Sequence, residues 1–215
     1  MIRAMMGVLA VLAAAVLPAA AAAVEIHAGW VHADLGLDGQ GDGFTAGVGG
    51  TWPVGAGPFD VTATGEYVVK RGSQPLLVGN PDLGLVRSDA EVTLRCLQPA
   101  AFVGFNVPLG AVRPRLYAGA SISIKLDETW DRTPGLTNRD YGYEDVDAAV
   151  HLGAQLRFRG RVFLDARYSH GLLEQVVDRD GDAAAAKESD PLTGAQLPED
   201  GDTVSSYQLG VGVVF

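Results

Sequence analysis

A single cysteine, Cys96, in a chain of 215 residues excludes any internal disulfide framework. Isolated on an apolar stretch, it reads as a small strand residue rather than a reactive thiol. Basic residues are also scarce. Sixteen Lys and Arg against 26 Asp and Glu leave a net charge of -10, which excludes the basic surface that nucleic-acid binding requires. Beyond residue 23 no apolar run approaches the roughly 20 residues that a membrane helix needs, so any membrane crossing downstream must use strands. No phosphate-binding glycine loop, CxxC pair or nucleophile elbow is present, and His27, His32 and His151 have no ligand-set spacing. No catalytic, metal or cofactor centre is therefore expected.

Two kinds of order remain. Residues 1–23 carry Arg3, an apolar run through Leu17, then Pro18 and a tract of alanines. A basic start, an apolar middle and a small-residue exit make a secretory signal peptide with cleavage expected after Ala23. A membrane anchor of similar length is the alternative, but Pro18 and the alanine-rich composition weigh against it. The domain expected is 24–215.

The second kind is alternation of period two. Eight segments show it: 24–35, 44–54, 58–71, 87–106, 113–126, 144–158, 161–173 and 203–215. In the sixth, Val146, Ala148, Val150, Leu152, Ala154, Leu156 and Phe158 oppose Asp147, His151, Gln155 and Arg157. The last sets Tyr207, Leu209, Val211, Val213 and Phe215 against Gln208, Gly210 and Gly212. One apolar and one charged face per strand is the pattern of a membrane barrel. The fourth segment contains Pro99, which cannot donate to a ladder, so a bulge or bend is expected near Gln98. Connections alternate short and long, with 72–86, 127–143 and 174–202 the long ones. With the N-terminus periplasmic, every short turn falls on that side, as in outer-membrane barrels.

Aromatic placement adds two expected belts. Trp52, Phe59, Phe102, Phe105, Phe158, Phe163 and Phe215 lie near the short turns, while Trp130, Tyr141 and Tyr143 lie at the other end. Charged side chains facing hydrocarbon would cost about 2 to 4 kcal/mol each near the midplane. The charged faces should therefore turn inward, giving a lumen network of Asp60, Glu66, Glu91, Arg95, Arg115, Lys125, Asp147, His151, Arg157, Asp165 and Arg167. The fold expected is all-β: an eight-stranded antiparallel up-and-down transmembrane barrel.

The chain resembles the small outer-membrane β-barrel proteins, of the outer membrane protein β-barrel or porin-like type and similar in architecture to the transmembrane domain of outer membrane protein A. The resemblance rests on Pro114, Tyr117 and Gly119, then Arg167, Tyr168, Gly171 and Leu172, then Gly212 and Phe215. It implies residence in the bacterial outer membrane, among lipid and lipopolysaccharide, as a monomer. It also implies that the final aromatic strand, with Tyr207 and Phe215, is the signal read by the barrel-assembly machinery.

Two motifs invite chemistry. RYSHGLLE, residues 167–174, places Ser169, His170 and Glu174 close together, as in an outer-leaflet lipid A deacylase. That family's HxSN arrangement is absent, and adjacent strand residues face opposite sides. DRDGD, residues 178–182, alternates aspartates, but Gly181 and Ser189 fall at the wrong places for a calcium loop. It reads as a solvated acidic loop, with weak divalent binding as the other reading. The function expected is structural or surface-interacting, with acidic outer loops and a charge-filled lumen. A narrow porin for small solutes is the main alternative; a lipid hydrolase and a secreted lipocalin-like binder are weaker ones.

Overall fold

The computed structural model describes residues 23–36, 39–80, 84–131, 141–159, 161–173, 176–178 and 203–215. The expected signal segment, most of the acidic loop 174–202 and Glu174 lie outside these residues.

The strands are β1 (Ala23–Gly36), β2 (Gly39–Pro53), β3 (Phe59–Asn80), β4 (Gly84–Asn106), β5 (Val112–Asp131), β6 (Tyr141–Tyr143), β7 (Val146–Phe158), β8 (Val162–Gly171), β9 (Val176–Asp178) and β10 (Ser205–Val214). Eight of them close a barrel in the order β1-β10-β8-β7-β5-β4-β3-β2. Every neighbouring pair is antiparallel, and the seam joins β1 to β10, from Glu25 opposite Val214 to Asp34 opposite Ser205. The remaining two, β6 and β9, form a small separate sheet.

Alternation explains the wall. In β8 each of Phe163, Asp165, Arg167, Ser169 and Gly171 is buried, and each residue between them is exposed. The outward set includes Ile26, Leu116, Ile122, Val150, Leu152, Leu164, Leu209 and Val211. A sheet that buries its polar face and exposes its apolar face inverts the usual soluble arrangement. Closure leaves no free edge across the wall, so hydrocarbon can surround it without stranding backbone groups.

Several expectations change. The described residues of the segment 72–86, expected as a long loop, are strand: the β3–β4 ladder continues to Asn80 opposite Gly84. That hairpin runs past its neighbours, because β2 leaves β3 at Ser73 and β5 leaves β4 at Glu91. Pro99 sits within β4 opposite Gly65 and merely leaves Gln98 and Pro99 unpaired toward β5, without a shift of register there. The shift occurs higher, where Arg95 pairs with Asp127 but Cys96 with Lys125, so Leu126 is an extra residue on β5. Leu126 and Asp127 are consecutively exposed, and the inward face of β5 changes from odd to even numbers.

The short turns use left-handed backbone. Gly55 and Gly110 supply it in the first two, at φ of 63° and 66°, while in the third Arg159 holds it at 49°.

Candidate functional site

The lumen is the candidate site, and it has two layers. In the half nearer the short turns, inward positions of successive strands supply complementary polar groups. Arg115 Nε and Nη2 donate to Asp60 Oδ1 at 3.0 and 2.6 Å, and Nη2 also donates to Thr62 at 2.8 Å. Asn106 donates to the other Asp60 oxygen at 2.6 Å. Arg157 Nη2 reaches Gln155 at 3.0 Å and Glu25 at 3.4 Å.

One step further in, Arg167 Nη2 donates to both Glu66 oxygens, at 2.9 and 3.1 Å. Thr64 and Thr45 donate to the same carboxylate at 3.2 and 3.4 Å. His27 Nε2 lies 3.3 Å from Glu66 Oε1, without hydrogen-bond geometry. Tyr117 donates its hydroxyl to Asp165 at 2.7 Å. Above this, His151 is held between Ser169 and Ser121, both at 2.7 Å, and Gln98 donates to Ser121 at 2.7 Å. The Phe102 ring lies edge-on to His151 and under the Arg167 guanidinium. A cavity of about 20 Å³ lies among these side chains, room for a single water.

The outer layer holds an apolar cluster, with Lys125 and Glu128 enclosed beside it. Val31, Ala33, Leu35, Val68, Val92, Leu94, Tyr143 and Val204 form one buried cluster, with Trp130 packed against it. Tyr143 arrives from β6, stacks on Trp130 and donates its hydroxyl to the Leu35 carbonyl at 3.0 Å. Lys125 ties the same corner together, reaching Glu128 at 2.9 Å, Asp145 at 3.0 Å and the Tyr143 carbonyl.

Most of the expected lumen residues turn inward. Asp60, Glu66, Arg115, Asp147, His151, Asp165 and Arg167 are buried, and the Lys125 and Arg157 side chains are largely enclosed. Among described residues, Asp147 Oδ1 has no hydrogen-bond partner. Glu91 and Arg95 do not belong to the set. Inward positions on β4 are even-numbered, with Ala90, Val92 and Leu94 buried, so Glu91 is exposed and Arg95 pairs with Asp127 on the outer surface. β4 runs 23 residues, whereas about ten cross the apolar band. Outward charges near its far end therefore meet no hydrocarbon.

The sequence reading missed Glu25 and His27, which share the odd-numbered inward face of β1, and Tyr117, which follows Arg115 by two on β5. Parity alone would have found all three. Four belt assignments also change: Phe102 and Phe163 are buried inward, as are Tyr143 and, partly, Trp130. Phe59, Phe105, Phe158 and Phe215 remain outward near the short turns. The outer aromatic girdle is made instead by Trp30, Phe44, Tyr168 and Tyr207, the last two with ring centroids 5.1 Å apart. Ser169 and His170 face opposite sides, the first bonded to His151 and the second to Ser205 at 3.0 Å. Hence they do not form a nucleophile and base pair. No cluster of three metal-ligating side chains occurs among the described residues.

No family model matches the chain, and no curated protein matches it in sequence. Solved structures similar to it include Ail, the attachment invasion locus protein of Yersinia pestis, at 14% identity over 91% of this chain and 100% of that one, with a TM-score of 0.48. Neisserial surface protein A is similar at 14% identity over 90% and 97%, TM-score 0.47. The outer membrane enzyme PagL is similar at 13% identity over 88% and 98%, TM-score 0.45. By its own closed wall, the chain is an eight-stranded antiparallel β-barrel, apolar outside with paired charges inside.

Proposed function

We propose that this chain is a monomeric, non-enzymatic barrel of the bacterial outer membrane, with a structural or surface-facing role and no open channel. The observation that carries this reading is the two-layer filling of the lumen. Charge pairs such as Arg115 with Asp60 and Arg167 with Glu66 occupy the half nearer the short turns, and the Tyr143 cluster closes the outer half. An ion would have to break buried pairs and then cross an apolar constriction that resists wetting. Lipid meets the outward face, and lipopolysaccharide or a partner meets the outer rim. Tyr207 on β10 and Phe215 just after it, both exposed, suit recognition by the barrel-assembly machinery.

Planar-bilayer recording of the refolded protein tests the channel question. Almost no steady conductance is expected, and reproducible single-channel steps would replace this reading with the porin one.

A further inference from the structure

Away from the lumen, the wall carries an open groove of about 630 Å³ built by β2, β3 and β4 alone. Gln40 and Asp42, Arg71 and Ser73, and Glu91 and Thr93 line it, a pair from each strand, with Phe44 at its edge. Parity places these side chains on the outward face. Thr45 and Thr51 on β2 bond to lumen carboxylates, as does Thr64 on β3, while Val92 and Leu94 on β4 join the buried cluster. The groove residues have the opposite parity on each strand, and no register shift interrupts the β2–β3 or β3–β4 ladder. All six are exposed except Thr93, which is half-buried.

The height of the groove follows from the same strands. Toward the short turns their outward positions are apolar, with Val48 and Phe44 on β2, Val61 and Tyr67 on β3, and Val103 and Leu97 on β4. Polar lining begins where that run stops, just past Phe44 of the outer aromatic girdle. On a wall that crosses a bilayer, this is the depth of the outer-leaflet headgroups.

The chemistry of the lining selects among headgroups. Two carboxylates, one guanidinium, one carboxamide and two hydroxyls face the space. Asp42 has one oxygen 2.9 Å from His32 Nδ1 and a second to offer; Arg71 and Glu91 have no ion-pair partner among the described residues. Paired carboxylates around a single guanidinium disfavour a phosphate. Neighbouring hydroxyls suit them, donating to Asp42 and Glu91 and accepting from Arg71 and Gln40.

We propose that this groove seats the sugar headgroup of an outer-leaflet glycolipid. The inference rests on the reading of the barrel as spanning the outer membrane with its long connections facing out, and it names the partner of that outer surface as a saccharide.

The test uses the refolded protein in phosphatidylcholine nanodiscs containing a minority of dephosphorylated lipid A, an acylated glucosamine disaccharide, with retained lipids counted by native mass spectrometry. The wild type should enrich the glycolipid over phosphatidylcholine. Arg71→Ala combined with Glu91→Ala should lower that enrichment about tenfold or more, since each substitution removes a charge-assisted hydrogen bond. Both positions are exposed, so the variant should keep the faster gel migration of a folded barrel before boiling. His170→Ala with Ser205→Ala, outward on β8 and β10, should change nothing.

No enrichment by the wild type, or an undiminished one in the Arg71 and Glu91 variant, would overturn the proposal. Enrichment of the phosphorylated form only would replace the sugar site with an anion site, and complete displacement by millimolar free glucosamine disaccharide would make the ligand a soluble sugar. A wild type that migrates identically before and after boiling would overturn the membrane reading itself. An inserted barrel without glycolipid enrichment overturns only the groove.

Discussion

Glu66 is the residue on which the lumen turns. It is fully buried and accepts hydrogen bonds from Arg167, Thr64 and Thr45 while His27 stands 3.3 Å away. Desolvating an ion pair is expensive, so its presence stabilises little relative to a well-packed apolar substitute; losing one partner leaves the other charged and buried. Glu66→Ala is therefore expected to lower the unfolding free energy by about 3 to 5 kcal/mol, measured by urea titration of the refolded barrel in lipid vesicles. Glu66→Met combined with Arg167→Met should recover most of that loss. If the single substitution cost under about 1 kcal/mol, the pair would behave as a screened surface pair, and the lumen would have to be wet.

Among the elements, β5 is the most instructive, because one extra residue sets which side chains fill the outer mouth. Below Leu126 its odd-numbered residues Arg115, Tyr117 and Ser121 are buried; above it Glu128 and Trp130 take the inward positions. Deleting Leu126 should restore unbroken alternation and leave Trp130 inward, still opposite Val92. In a Trp30→Phe, Trp52→Phe background, fluorescence quenching by acrylamide should then match the undeleted protein; a several-fold rise would mean that the extra residue, rather than the ladder to β4, holds Trp130 inward. The same bulge marks the limit of what the sequence shows. Strand existence and facing were legible for β7, β8 and β10, since each keeps a strict period of two from end to end. Glu91 and Arg95 were misplaced because the cost of outward charge applies only within hydrocarbon, and β4 outlasts it. The Tyr143 cap was not legible, because it joins side chains from β1, β3, β4 and β6 that no local pattern connects.

At the scale of the whole molecule, the ladder is continuous around the ring, so unfolding must open it somewhere and lose many bonds together. The unboiled protein is accordingly expected to migrate faster on a denaturing gel than the boiled one, and identical migration would contradict a closed barrel. The β1–β10 seam adds a constraint in time. Its partners, such as Glu25 and Val214, lie at opposite ends of the chain, so no unfinished chain can possess a closed wall. Until β10 arrives, the growing sheet has two exposed edges capable of pairing with other strands. A sheet short of any one pairing keeps two such edges, so it must be held apart from other strands until the ring is closed.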